Sequence, residues 1–411
     1  MNALLANAIA APVRSKASAP ADVAMPSLAR ILDAIRTHLG MDVAFISEIV
    51  GGRRYFRHVD PDTPACFVRP GGSDPAEDSY CLRVVDGRLP ELITDACRNP
   101  EALTLAATQA LPVGAHLSVP IRLKDGRVYG TFCCFSHAPN ESLNERDLAM
   151  MRVFAEMVGE QIQAEQTQRE ALQAIEARLD AVLAAGGLSM VYQPIYDVAA
   201  NRVVGFESLA RFASEPYRSP DRWFAEAAQL GRELELESRA IRLALQAVAQ
   251  LPPDVYVAVN ASPQTLVKGD FAALLQGQPL GRIVVEVTEH QAVEHYEDLA
   301  AVLGPLQDAG LRIAIDDAGA GYASFRHILN LRPDIVKLDT SITRAIDTDR
   351  SRRALAAALR GFATETGCRI VAEGIETPAE LATLRHLGIH KAQGYHLGRP
   401  MPLEQAKALR A

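Results

Sequence analysis

The sequence is short of several features that would place it quickly. Its 411 residues hold six cysteines: Cys66, Cys81, Cys97, Cys133, Cys134 and Cys368. None are spaced as Cys-x-x-Cys, and none cluster with histidine as a zinc site would require. That excludes a sequence-evident zinc ribbon and leaves reduced thiols in a cytoplasmic protein as the plain reading. Excess positive charge is also missing. A net charge of −8 argues against sequence-independent binding of DNA or RNA polymers, which needs a basic face. No apolar run approaches the length of a membrane span, so no membrane role is expected. The opening residues 1–26 are Ala-rich, lack a charged region before their short apolar run, and are interrupted by Asn7. They predict a disordered tail rather than a signal peptide.

What is present is ordinary globular material: 48% hydrophobic and 22% charged residues, enough for real cores and, at this length, two domains. One stretch is not ordinary. Ile313-Ala314-Ile315 runs as a strand and then breaks into Asp316-Asp317, followed by a loop containing Gly319 and Gly321. Two adjacent carboxylates repel, and a fold keeps them where a cation lies between them or where both stay wet. By itself the stretch also fits an acidic turn after a strand.

Leu28, Ile31, Leu32, Ile35 and Leu39 recur at helical spacing and predict a first helix that Gly40 ends. Val43 to Ile49 and Arg53 to Val59 read as strands around a Gly51-Gly52 hairpin. A Pro/Gly-dense stretch from Pro61 to Pro75 predicts a long loop. Ala115–Arg122 and Val128–Ser136 bracket Lys124-Asp125-Gly126, an Asp-Gly hairpin. This order predicts an α+β sandwich of about 140 residues, a usual domain size. Cys133 and Cys134 are expected to pack on opposite faces of one strand, with no redox role because neither has a resolving partner in sequence. Cys81 and His116 are candidates to line a pocket. On this order, and on the stretches from Gly114 to Ile121 and from Gly130 to Ser136, residues 27–165 resemble GAF sensory domains. The resemblance implies a small bound ligand, a tetrapyrrole, or dimerisation alone. The ligand is unknown, and no adjacent Cys-His pair marks a bilin site.

Residues 144–185 predict one long connecting helix. Leu148, Met151, Phe154, Val158 and Ile162 form a stripe for the first domain. Leu172, Ile175, Leu179 and Val182 then step by 3, 4 and 3, the a/d rhythm of a coiled coil. Pairing of two chains and packing on the helix's own domain are equally open. From Leu188 to the end, β-type runs alternate with helical segments: Met190–Ile195, Val203–Ala210, Val255–Asn260, Ile283–Thr288, Leu311–Asp316, Asp334–Leu338, Arg369–Glu373 and Ala392–Leu397. Eight runs predict a TIM-like α/β barrel, (β/α)8, with its working residues at the C-terminal strand ends. Glu207, Asn260, Glu286, Asp316, Asp317, Lys337, Asp339, Glu373, Glu376 and Gln393 fall there. Their donors are oxygens, with no His or Cys, which suits Mg²⁺ or Mn²⁺ better than zinc. A carboxylate shared by two cations would explain the adjacency of Asp316 and Asp317, and such a pair is a standard clamp for phosphoester cleavage.

Nine motifs in order now make a second resemblance: Gln193-Pro194-Ile195, Glu-Ser-Leu-Ala-Arg at 207–211, Asn260-Ala261-Ser262, Glu-Val-Thr-Glu at 286–289, Asp-Asp-x-Gly-x-Gly-x-x-Ser at 316–324, Asp-x-x-Lys-Leu-Asp at 334–339, Ala-Glu-Gly-Ile-Glu at 372–376, Gln-Gly-Tyr at 393–395 and Pro-Met-Pro at 400–402. Residues 188–411 resemble the EAL domain of cyclic-di-GMP phosphodiesterases. The resemblance implies hydrolysis of cyclic-di-GMP to linear pGpG with two Mg²⁺ or Mn²⁺ ions per site. It implies that Glu207, Asn260, Glu286 and Asp316 hold one ion and that Asp316, Asp317 and Glu373 hold the other. Lys337 would orient a water, Glu289 would anchor the loop after Asp317, Arg211 would meet a phosphate, and Gln193 and Gln393 would line the site. A homodimer is also implied. The alternative is a catalytically silent receptor that binds cyclic-di-GMP and signals through the connecting helix. Departures from the pattern are Ser208 for Ala, Ala318 for the usual Phe, and Ala228 where Glu is usual.

Overall fold

The computed structural model describes residues 28–63, 66, 68–287, 293, 295–318 and 322–409, without the side chains of 317 and 322–325. The expected tail, Glu289, the Gly319 to Gly321 loop and the Asp317 side chain therefore lie outside the described residues. The chain divides into two compact units at Glu170/Ala171.

In the first unit six strands form one sheet: β1 (Val43–Val50), β2 (Arg53–Asp60), β3 (Ser73–Pro75), β4 (Leu92–Ile93), β5 (Ala115–Arg122) and β6 (Val128–Ser136), in the order β3-β2-β1-β6-β5-β4. Both hairpins form where glycine permits a positive φ: Gly51 and Gly52 at 58° and 74°, and Gly126 at 84°. β3 is a departure, since it pairs with β2 inside the stretch expected to be loop. The alternation along β6 divides its cysteines as expected. Cys134 faces a core built with the helix Leu28–His38, and Cys133 faces the opposite one with Tyr80 and Cys81. Cys81 and His116 are buried, with the Tyr80 ring 4.6 Å from that of His116. A cleft of about 270 Å³ among the described residues is lined by residues that include Asp42, Phe135 and His137.

The helix Glu145–Ala184 contains the division between the units. Leu148, Met151, Val158 and Ile162 belong to the core of the first unit. Leu179 and Val182 are buried with Leu188, Phe212, Trp223 and Leu236 of the second. Two of the four coiled-coil a/d positions, Leu179 and Val182, are thus occupied within the chain's own fold.

The second unit is a closed barrel of eight strands: β7 (Leu188–Asp197), β8 (Arg202–Phe212), β9 (Tyr256–Ala261), β10 (Ile283–Val287), β11 (Arg312–Ala318), β12 (Ile335–Leu338), β13 (Arg369–Ala372) and β14 (Lys391–Ala392). Two expectations need correction. β7 runs antiparallel to both its neighbours, β8 and β14. The physical reason is connection length: the few residues between Asp197 and Arg202 allow a hairpin, whereas a parallel return needs a dozen or more. The final strand is also two residues long, not six, because the chain turns at Gln393 and the Gln393 carbonyl accepts the Ile375 N–H at 3.1 Å.

The barrel interior is stacked in layers. Ile195, Val204, Ala258, Val284, Ala314, Ile335 and Val371 share one apolar cluster with Tyr256. Gly205 makes room for that ring, since a Cβ there would meet it at 2.5 Å. Because side chains alternate along a strand, the next inward residue lies two positions on. Those residues are Asn260, Glu286, Asp316, Lys337 and Glu373. On the reversed strand β7, the same level falls two positions earlier, at Gln193. An apolar floor thus lies beneath a polar ring at one rim.

Candidate active site

The ring closes around Lys337. Its ammonium nitrogen lies 2.6 Å from Glu373 Oε1, 2.8 Å from Glu286 Oε2, 3.1 Å from Asp316 Oδ1 and 3.5 Å from Glu207 Oε2. These carboxylates come from β8, β10, β11 and the residue after β13, and barrel closure alone brings them together. Lys337 and Glu286 are each 1% exposed. Burial alone would lower the Lys337 pKa, but the four carboxylates outweigh it and hold the group well above its ordinary value. Burial pushes the Glu286 carboxyl well up, with Lys337 pulling the other way. Glu373 is pushed up to about 8 by burial, again opposed by Lys337.

Glu207 is aimed by amides. Gln393 Nε2 donates to Glu207 Oε2 at 2.5 Å and to Gln193 Oε1 at 2.9 Å, and Gln193 Nε2 donates to the Gly398 carbonyl at 3.1 Å. Asn260 Nδ2 stands 3.4 Å from Glu207 Oε1. Gln393 Oε1 is buried with no partner among the described residues. Gln193 and Gln393 are thus at the site, and the observed contacts hold Glu207 in place. Arg211 lies apart. It is on the same face of β8 as Glu207 but four residues on, roughly 13 Å along the strand, and its Nη1 donates to the Ala210 carbonyl.

Two acids expected at the rim serve elsewhere. Asp339 caps the short helix Thr340–Thr343, accepting the Ser341 N–H at 2.8 Å. Glu376 is exposed and pairs with Arg344 at 3.0 Å. Three supporting residues were missed. Buried Glu380 accepts the N–H groups of Ala345, Glu376 and Thr377 and so shapes the turn after Glu373. Its signal was legible: Thr377-x-x-Glu380 is a capping box opened by Pro378. Glu237 accepts the Ser262 N–H and hydroxyl beside Asn260, and no local pattern marks it. Ser208, which stands where the pattern has alanine, donates its hydroxyl to the Ala258 carbonyl at 2.6 Å and ties β8 to β9. Ala228 is exposed on the helix Pro220–Gln229, and Ala318 is fully buried.

Among the described residues, no three carboxylate, imidazole or thiol groups already stand as a ligand set around an open centre; the Lys337 ammonium takes the middle. The donor chemistry nevertheless fits hard divalent cations. Four carboxylates face one ammonium, so full ionisation leaves three negative charges uncompensated in a buried ring, and every candidate donor is oxygen.

A family model described as the EAL domain matches residues 175–400, more than half of the chain. The chain belongs to the EAL domain family. A GAF domain model matches residues 26–162, ahead of it. The EAL unit is the closed barrel described above, with its antiparallel first strand. Among curated relatives, a cyclic di-GMP phosphodiesterase of Pseudomonas aeruginosa is 28% identical over 254 residues, covering 59% of this chain and 43% of that protein. An uncharacterized protein of Sinorhizobium fredii is 30% identical over 248 residues, covering 58% of this chain and 30% of that protein. The chain thus spans less than half the length of either. Among solved structures, the PaMucR phosphodiesterase in complex with c-di-GMP aligns at 26% identity with a TM-score of 0.51, over 56% of this chain and 99% of that one. Among the described residues no helix is long and apolar enough to cross a membrane.

Proposed function

We propose that the EAL domain hydrolyses cyclic di-GMP to linear pGpG in a metal-dependent reaction, and that the GAF domain regulates the rate. The observation that carries this reading is the ring of four carboxylates from four strand ends, all within 3.5 Å of Lys337 Nζ. Mg²⁺ or Mn²⁺ ions held by Glu207, Asn260, Glu286 and Asp316, and by Asp316, Asp317 and Glu373, would supply an acidified water and screen the phosphodiester charge.

The chain's own groups do the rest. Hydrolysis breaks one P–O3′ bond and adds water across it, so negative charge collects beside the ring. The Lys337 ammonium is a fixed counter-charge there, already desolvated and needing no reorganisation. The Gln393–Gln193 pair holds Glu207 against rotation. Arg211, farther along the strand, would meet a phosphate of the substrate. The apolar layer below floors the site among the described residues. Glu289 is assigned to anchoring the loop after Asp317, and the active form is taken to be a homodimer.

The test is to incubate purified full-length protein with cyclic di-GMP and Mg²⁺ or Mn²⁺ and separate the products by chromatography. Release of pGpG is expected, and Glu207→Ala should bring it below detection. An unchanged rate in that variant overturns the ligand assignment. Tight binding of cyclic di-GMP by the parent chain with no pGpG would instead make the domain a silent receptor.

A further inference from the structure

The GAF unit holds a second buried cluster that the phosphodiester chemistry does not use. Cys81, on the helix Tyr80–Val85, and Cys133, on β6, are both fully buried with their sulfurs 3.3 Å apart. They are 52 residues apart in sequence, so no spacing rule pairs them. Arg54 Nη1 donates to Cys81 Sγ at 3.1 Å, and the same guanidinium is fastened to Asp74 at 3.0 Å and 2.5 Å. The Ser118 hydroxyl lies 2.9 Å from Cys133 Sγ, and Cys133 Sγ is 3.0 Å from the Thr131 hydroxyl. Ser118 sits directly across from Cys133 in the β5–β6 register.

We infer that Cys81 and Cys133 form a redox-active dithiol, with Cys81 the thiolate that meets the oxidant and Cys133 the thiol that resolves it. The asymmetry comes from their neighbours. Cys81 has a guanidinium at hydrogen-bond distance and Cys133 has only hydroxyls and Cys81 itself. The acidities follow the same order. Burial pushes the Cys81 thiol up, but the bond from Cys133, the Arg54 charge and the Thr131 hydroxyl bring it down to about 5. Burial and the neighbouring Cys81 sulfur push Cys133 well above the usual thiol range. Low pKa marks the reactive sulfur of such a pair. The sulfurs, 3.3 Å apart, need close by only about 1.3 Å to reach the ~2.05 Å of a disulfide.

Complete burial also selects the oxidant. A bulky disulfide cannot reach either sulfur, whereas a hydroperoxide of a few atoms enters when the six-residue helix carrying Cys81 opens locally. The Cys81 thiolate sulfur attacks one peroxide oxygen, the O–O bond breaks, and the other oxygen leaves as hydroxide, which takes up the proton that Cys81 released on ionising and becomes water; Cys81 is left as a sulfenic acid. Cys133 sulfur then attacks Cys81 sulfur. The S–S bond forms, the S–O bond breaks, and a second water departs. Two thiols lose two protons and two electrons, and one hydrogen peroxide becomes two waters.

The experiment uses the reduced full-length protein and hydrogen peroxide, followed by non-reducing peptide mapping. A linked Cys81–Cys133 peptide pair, two hydrogens lighter than the separate peptides and split by dithiothreitol, is expected. Titratable thiols in the denatured protein should fall from six to four. In Cys133→Ser, peroxide should leave Cys81 as a sulfenic acid trapped by dimedone. Should that variant not fold, the map of the parent chain decides alone. The inference is overturned if both cysteines stay alkylatable after treatment, if exposed Cys97 is the residue oxidised, or if Cys133 links to Cys134 instead.

Discussion

Two buried cations, one in each unit, show how differently this chain uses charge. Arg54 has few partners: one carboxylate, Asp74, one sulfur, Cys81, and the faces of Phe45 and Phe56 at 5.7 Å and 4.6 Å surround it. Lys337 is outnumbered by four carboxylates at the rim of a barrel. A buried cation with few anions about it leaves little charge for a ligand to satisfy and locks the strands that carry it. An outnumbered one leaves a field that further cations, or protonation of Glu286 and Glu373, can relieve. The first arrangement is architecture with a reactive thiol attached, and the second is a site.

The contrast can be broken most forcefully at Lys337. Lys337→Met should cut turnover of cyclic di-GMP by about 10²–10³-fold, the usual cost of losing one preorganised charge-stabilising donor; a near-normal kcat would return Lys337 to the architectural class. Arg54→Met should leave the rim intact but cost about 3 kcal/mol of stability, the low end for breaking a buried pair because Asp74 keeps access to water. Denaturant unfolding reads that loss, and an unchanged midpoint would show that Arg54 is not holding the GAF core. Gln393→Ala frees Glu207 from its amide donor and should slow turnover by about ten- to hundredfold, in line with a hydrogen bond to a charged group. A change confined to KM would place Gln393 on the substrate instead.

The effect that is smallest at neutral pH, and grows only on acidification, concerns His116. Burial, with the Arg54 charge behind it, lowers its pKa from 6.5 to about 3. Between those values the unfolded chain binds a proton that the folded chain refuses. His116 therefore subtracts about 1.4 kcal/mol of stability for each pH unit of descent below about 6.5. His116→Gln should flatten that part of the acid unfolding curve, and an unaltered slope would mean that the imidazole is charged or wet.

The legible part of the molecule was that governed by short-range rules. Gly51-Gly52 and Lys124-Asp125-Gly126 announced their hairpins, and eight β-type runs announced the barrel. The oxygen donors could be assigned to strand ends because side-chain alternation is counted along a single strand. Misreadings arose where a second segment decided the outcome. Asp339 looked like a ligand until its own helix claimed it as a cap. For Leu179 and Val182 the spacing left two readings open, and burial with Trp223 and Leu236 chose packing within the fold. The run after Ala392 had strand composition but had to turn so that Gln393 could meet Glu207.

Backbone propensity, turn chemistry and the period of two are properties of consecutive residues, so the chain's order determined its elements, its barrel and the chemical type of its rim. Only the closed tertiary structure decided which groups touch across it. It joined Gln193 to Gln393, 200 residues apart, set four carboxylates on one ammonium, and laid Cys81 against Cys133. Those contacts depend on strand order and register around a sheet, which no local stretch encodes.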